Sequence, residues 1–274
     1  TRMTMEAVRR YKDIHFYIPW SFDYRGRAYP IPAFLTPQDT DFGKSLLLFA
    51  DEASEVVEKW LAFQVATSYG LDKATMEERL GWTREHRSMI AAIAGDPIAF
   101  IGMWEGAEEP WQFLAACDEY YHCCIHRDRP TTSLPVATDA TCSGLQILAG
   151  LARDKSTAKL VNVVPSDKPQ DAYAKVAETA LSLGIPTNIH SVWDRKCVKR
   201  TVMTIPYNAK PFSNRSYIKD ALKEKGVEID KDDLTQIVKT VREAMHLIVP
   251  GPMAVMKWIE TGVPKSIKRG ATHV

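Results

Sequence analysis

Apolar positions at helical spacing run through most of the chain beyond its first 50 residues. Val56, Val57, Trp60, Leu61 and Val65 recur at three- and four-residue steps, behind acidic residues that favour a helix N-terminus. Further helices are expected over 75–86 and from Pro110 to about 125, the proline standing in a first turn where a missing N–H costs nothing. The same pattern predicts helices over 142–152, 170–183, 192–207, 217–225, 232–247 and 253–260. Residues 133–139, Ser-Leu-Pro-Val-Ala-Thr-Asp, read as a short strand leading into the helix at 142. The aromatic- and proline-rich run from Phe16 to Pro30 has no helical period and reads as turn-rich, with a strand or two. The expected fold is a predominantly helical α+β one. It divides into a turn-rich segment 1–50, a helical segment 51–130, a strand–turn–helix 131–155 and a mostly helical remainder 156–274.

Composition narrows the function only a little. Hydrophobic residues make up 45% and charged residues 25%, an ordinary globular balance. The formal net charge is +1, so an anionic partner has to be argued from local patches. The five cysteines include no C-x-x-C pair, which argues against a disulfide framework or a zinc ribbon. Cys123 and Cys124, flanked by His122 and His126, are expected to pack on a helix. No apolar run approaches the roughly 20 residues that span a bilayer, so no membrane partner is expected. No basic-then-apolar leader is visible, and the ends, Thr1 and an apparent strand at 270–274, read as cut.

The chemistry concentrates in two segments. On a helix, Arg195, Lys196, Lys199, Arg200, Met203 and Tyr207 fall within an arc of about 140°, with Val198, Val202 and Ile205 on the opposite side. An amphipathic helix with a solvated basic face would look the same. A triphosphate-binding helix would use the pattern differently, Arg as a bidentate fork and Lys as a point charge on neighbouring phosphate oxygens, with Tyr207 near the sugar and base. From Ser191 to Lys225 nine Lys/Arg face three Asp/Glu, a local balance of +6 that favours an anionic partner. In the second segment, Asp139 at a strand end before small residues and a helix start could cap that helix, or hold a hard cation such as magnesium.

Together these segments resemble single-subunit, phage- and mitochondrial-type DNA-directed RNA polymerases. Pro135-x-x-x-Asp-Ala-Thr-Cys-Ser-Gly-Leu-Gln146 is similar to that family's first catalytic motif, and Arg195-x-x-x-Lys199-x-x-Val-Met-Thr-x-x-Tyr207 to its second. Asp23-Tyr-Arg-Gly-Arg-Ala-Tyr29, Val161-Asn-Val-Val-Pro-Ser166 and Gln170-Asp-x-Tyr173 extend the likeness over nearly the whole chain.

The resemblance implies part of a right-hand polymerase. Residues 1–50 would be palm-proximal, 131–155 would carry the first motif in the palm, and 156–274 would belong to the fingers. It implies Asp139 and the Ala140 carbonyl as Mg2+ ligands. Arg195, Lys199 and Arg200 would hold the incoming triphosphate, with Lys199 placed to protonate the leaving pyrophosphate, and Met203 would be a further substrate-binding residue. Tyr207 would sit at the nucleotide site and take part in choosing ribose, and Arg27 and Lys44 would lie on the template–product duplex. Partners would be a DNA template, the RNA product and ribonucleoside triphosphates, in an enzyme monomeric at full length. The look of the motifs favours a phage source, acting in host cytoplasm, over the mitochondrial matrix.

Two features depart from the family. Asn208 stands where Gly is usual, and Pro206 precedes the tyrosine inside the helical pattern; Asn tolerates a left-handed helix end, and the proline should kink the last turn. The family's second metal aspartate, in a His-Asp-Ser motif, has no counterpart, since the chain contains no His-Asp dipeptide. The isolated chain is therefore expected to be inactive. An A-family DNA polymerase, which shares an Arg-x-x-x-Lys…Tyr helix, and a non-catalytic nucleic-acid-binding relic are the alternatives. Asp41-Phe-Gly43 and His126-Arg-Asp128 occur in the wrong order for a protein kinase.

Overall fold

The computed structural model describes residues 2–24, 26–138 and 141–270. As expected, these residues form a predominantly helical α+β fold. The chain divides into two compact units, Thr1–Thr138 and Asp139–Val274.

The first unit contains α1 (Arg2–Tyr11), the strands β1 (Trp20–Phe22) and β2 (Ala28–Pro30), then α2 (Asp41–Ser45), α3 (Glu58–Tyr69), α4 (Met76–Glu85), α5 (Arg87–Gly95) and α6 (Pro110–Tyr120). β1 and β2 pair antiparallel, Ser21 opposite Tyr29. α4 opens on a capping box, Thr75 accepting from the Glu78 amide while Glu78 accepts from the Thr75 amide. The orphan amides at the start of α6 are met from another helix: Asp41 of α2 accepts from Trp111 at 2.8 Å and Gln112 at 3.1 Å. Leu61, Val65, Ile90, Ile93, Phe113 and Tyr120 fill the core of this unit, each such side chain contributing about 1.5–3 kcal/mol on burial.

Two expectations are corrected here. The helix from Pro110 does not run unbroken to 125. It passes at Tyr121 into a π-helical turn, Tyr121–His126, which holds Cys123 and the buried Cys124 and ends with Arg127 at φ 60°. There the Cys124 carbonyl accepts from Arg87 and Arg127. Residues 133–138 do not form a strand. A strand needs a neighbouring strand, and none pairs with this run among the described residues. The segment is held by an isolated bridge between Ala53 and Thr132, by Phe49 N–H donating to the Ser133 carbonyl, and by Ala137 N–H donating to the buried Gln64 at 2.9 Å.

The second unit contains α7 (Ser143–Ala152), α8 (Lys155–Leu160), α9 (Ala172–Gly184), α10 (Arg195–Thr204), α11 (Pro211–Glu224), α12 (Lys231–Ile248) and α13 (Pro250–Lys268). Four of these open on aspartates, Asp154, Asp171, Asp194 and Asp230, whose carboxylates accept first-turn amides; such a cap contributes about 1 kcal/mol. α10 packs against α9 and α11, and α12 against α9. Val176, Val198, Val202, Ile205, Ile218, Leu222, Ile237 and Met245 lie fully buried among these helices. α13 lies along α7 and touches α8. There Gly251 donates its N–H to Asp154 at 3.0 Å, and a Cβ at Gly251 would stand 2.5 Å from that of Asp154, so only glycine permits the approach.

α11 begins six residues before the expected 217, because Pro211 starts it with a polar first turn that periodicity overlooks. α13 extends well beyond the expected 253–260 despite Pro264 within it. The strand expected at 270–274 lies, from 271 on, outside the described residues.

Candidate active site

α10 sorts its side chains as the helical spacing requires. Cys197, Val198, Thr201 and Val202 are buried against the core, while Lys196, Lys199, Arg200 and Met203 are exposed and Arg195 is half-buried. The α-helix closes at Thr204. Pro206 then sits in a 3-10 turn, Ile205–Tyr207, and Asn208 adopts φ 66°, ψ 28°. The proline does tighten the last turn, and asparagine does take up the left-handed position.

The turn delivers Tyr207 onto the other motif. A Cβ built on Gly144, at the start of α7, would lie 3.0 Å from Pro206 Cβ and 3.4 Å from Tyr207 Cε2 and Cζ. The phenol thus rests on a bare stretch of backbone while remaining 60% exposed. Just before Gly144, Cys142 enters α7 at φ 54°, with the Tyr173 hydroxyl near its thiol. Burial raises the pKa of both groups, and the charges of Arg195 and Lys199 act in the opposite direction on Cys142. Both therefore stay protonated near neutrality.

Arg195 donates through Nε to Asp171 at 2.7 Å, and its guanidinium lies 5.5 Å from the Tyr173 ring centre. Asp171 uses its other oxygen to cap α9. Arg200 stacks over the Tyr217 ring at 4.2 Å. Lys199 is exposed and makes no hydrogen bond or ion pair among the described residues. The cationic face is therefore graded, with Arg195 tethered, Arg200 stacked and Lys199 open to a ligand. Charge-assisted bonds to phosphate need such an open donor.

The second unit thus carries Arg195, Lys199, Arg200 and Met203 on α10, with Tyr207 just beyond it resting on Gly144 and the charges of Arg195 and Lys199 reaching Cys142. Asp139 and Ala140 lie outside the described residues. Arg27 and Lys44 belong to the first unit. Arg27 closes the hairpin turn, its N–H donating to Asp23 at 3.0 Å, and Lys44 lies half-buried in α2. Sequence reasoning gave Asp171, Tyr173 and Gln64 no role. Asp171 and Tyr173 do stand in one of the motifs quoted above, but pairing a carboxylate with an arginine 24 positions away has no periodic signal.

A family model for DNA-dependent RNA polymerase matches residues 52–270. The chain is similar to the mitochondrial DNA-directed RNA polymerase of Neurospora crassa, 38% identical over 74% of this chain and 15% of that protein. It is 32% identical to the mitochondrial DNA-directed RNA polymerase 1B of Nicotiana tabacum, over 94% of this chain and 28% of that protein. With the human mitochondrial DNA-directed RNA polymerase it shares 30% identity over 93% of this chain and 22% of that protein. The chain thus spans well under a third of the length of these relatives.

Proposed function

The chain belongs to the DNA-dependent RNA polymerase family, and from that premise we propose that it supplies the nucleotide-binding part of a template-directed RNA polymerase. The reaction is attack of an RNA 3′-hydroxyl on a ribonucleoside triphosphate, directed by a DNA template, in a right-hand enzyme that works as a single chain. The observation that carries this reading is the seating of Tyr207, at the end of the cationic α10, against Gly144, three residues beyond the end of the Asp139-Ala-Thr stretch.

Each residue has a part. Lys199 meets the triphosphate as a point charge and stands where a proton could pass to the leaving pyrophosphate. Arg200, and Arg195 within its tether to Asp171, add fixed donors that complement phosphate charge. Met203 and Tyr207 line the place of the base and sugar, Tyr207 favouring ribose. Arg27 and Lys44 belong with the template–product duplex. The donor chemistry fits magnesium: the Asp139 carboxylate and the Ala140 carbonyl are hard oxygen ligands, and magnesium is often held by one or two carboxylates with substrate phosphates completing its shell. When bound, the ion neutralises phosphate charge at the reacting centre. The mitochondrial names of these relatives give a mitochondrial setting more support than the phage source expected from the motifs.

The test is primer extension by the full-length polymerase carrying this chain, on a primed DNA template. RNA should be made from ribonucleotides, and Asp139→Ala should abolish it. Preferential use of deoxyribonucleotides would point instead to a DNA polymerase, and binding without extension to a non-catalytic role.

A further inference from the structure

The turn that presents Tyr207 is held in place from outside. Asn208 stands in the left-handed region, unfavourable for most L-residues and open chiefly to glycine and asparagine. Its N–H donates to Ile205 at 2.8 Å and that of Ala209 to Thr204 at 3.2 Å, closing the inner side. The outer side is gripped by two other helices. Arg242 of α12 donates through Nη1 to the Ala209 carbonyl at 3.0 Å and to Asn214 Oδ1 at 2.8 Å. Lys210 donates to Asn208 Oδ1 at 2.7 Å and forms an ion pair with Glu260 of α13.

The chemistry suits a clamp. A guanidinium presents its donors in a rigid plane, so one arginine can fix two acceptors at once. Here they are the carbonyl two residues after Tyr207 and a fully buried side chain in α11. Glu260 supplies the charge that balances this cluster. The hydrogen bond from Lys210, then its charge, then that of Arg242, hold the Glu260 carboxyl below its usual range. None of Arg242, Lys210 or Glu260 belongs to the α10 face. Arg242 and Lys210 each bond the turn directly, and Glu260 reaches it through Lys210.

We propose that Arg242, backed by Glu260 and Lys210, is a positioning residue for Tyr207, and that through this clamp it sets how strictly the site selects ribose. The inference rests on the reading of Tyr207 as the residue at the nucleotide sugar. Releasing the Ala209 carbonyl frees Asn208 to leave its left-handed setting, and the Tyr207 ring then loses its seat against Gly144. Triphosphate binding by Lys199 is untouched by that change, so the loss falls on sugar choice rather than on phosphate contact.

The experiment uses the full-length polymerase carrying this chain and measures kcat/KM separately for ribo- and deoxyribonucleotides. Arg242→Met, Arg242→Lys and Glu260→Gln are compared with Tyr207→Phe. Arg242→Met and Glu260→Gln should reduce the ribose preference by about threefold or more, well short of the ~100-fold that a 1 Å misplacement can cost. Arg242→Lys, which keeps the charge without the planar fork, should recover only part of it. Adding Arg242→Met to Tyr207→Phe should change the preference no further, because both act through one phenol. Equal losses on both sugars, or additive effects with Tyr207→Phe, would overturn the clamp. If Tyr207→Phe itself leaves the preference unchanged, the reading of Tyr207 falls instead. Should Arg242→Met fail to fold, the exposed Glu260→Gln decides alone.

Discussion

Replacing Gly144 with alanine tests the seat of Tyr207 directly. The added methyl would lie 3.0 Å from Pro206 Cβ and 3.4 Å from two carbons of the Tyr207 ring, whereas carbon pairs are most favourable at about 3.5–4.0 Å. Pro206 has little room to give, because Ile205 beside it is fully buried. Overpacking of this kind costs about 1–3 kcal/mol. Alanine in place of glycine within a helix returns about 0.5–1 kcal/mol. The net is a destabilisation of about 1 kcal/mol, or a fall in Tm of about 2–4 °C for a chain of this size. Gly150 lies on the same helix, and a Cβ there meets nothing within 4 Å, so Gly150→Ala should raise Tm through the propensity gain alone. Thermal unfolding of the two purified variants, followed by circular dichroism, isolates the steric part as their difference. In the full-length polymerase the same misfit should lower kcat/KM for the nucleotide about fivefold, the equivalent of 1 kcal/mol. Equal upward shifts in Tm for both variants would show that Pro206 and Tyr207 do not rest on Gly144.

Three further outcomes are expected. Lys199→Ala in the full-length polymerase should slow single-nucleotide addition at least about tenfold, near 1.4 kcal/mol, whatever the template, because phosphate contacts carry no base information; unchanged rapid-quench kinetics would remove Lys199 from the site. The 274 residues alone should bind nucleic acid or nucleotide weakly, and more weakly still as salt rises, and should extend no primer with magnesium and all four ribonucleotides; extension above an Asp139→Ala control would reveal a second metal carboxylate within them. Asp154 should make the chain acid-sensitive. Burial pushes its pKa up, but hydrogen bonds from Ser156, Thr157 and the Gly251 amide outweigh this and hold it below the usual carboxylate range. A carboxyl with a depressed folded pKa contributes stability above its unfolded value of about 3.9, and that contribution fades as pH falls through the folded value. Denaturant melts from pH 6 down to pH 2 should show a shallower acid loss for Asp154→Asn than for the unaltered chain.

What the sequence made legible follows from which forces repeat along it. Val198, Val202 and Ile205 announced the buried side of α10 because helix geometry converts spacing into facing. Asn208 could be read as a helix end because few residues tolerate its conformation. Helix α1 escaped notice for the opposite reason. Its sided positions, Thr4, Ala7, Val8 and Tyr11, span only two turns, and of these only Thr4 is buried, so the stripe is too short and too weakly covered to stand out. The run 133–138 was misread because Leu134, Pro135 and Val136 have strand-like character, while pairing depends on a partner that local pattern cannot supply. The Arg195–Asp171 and Arg242–Ala209 contacts were invisible in the same way, since each ties a helix to a distant segment whose meeting is decided by the whole core.

The π-helical turn at Tyr121–His126 bears on how this polymerase segment can vary in length. A π turn closes its hydrogen bonds one residue later than an α turn, so this short run stores one residue beyond what a regular helix needs. Deleting a residue here would let α6 continue as ordinary α-helix, and inserting one elsewhere in the same helix would displace every side chain after it by about 100°. The chain downstream is irregular through Thr138, so it can take up the one-residue shift without breaking a ladder of backbone bonds. The cost of deletion would fall on the Cys124 carbonyl, which now serves Arg87 and Arg127. Gains and losses of a single residue among homologues of the first unit should therefore collect at this turn rather than along α3 or α4, where no such slack exists.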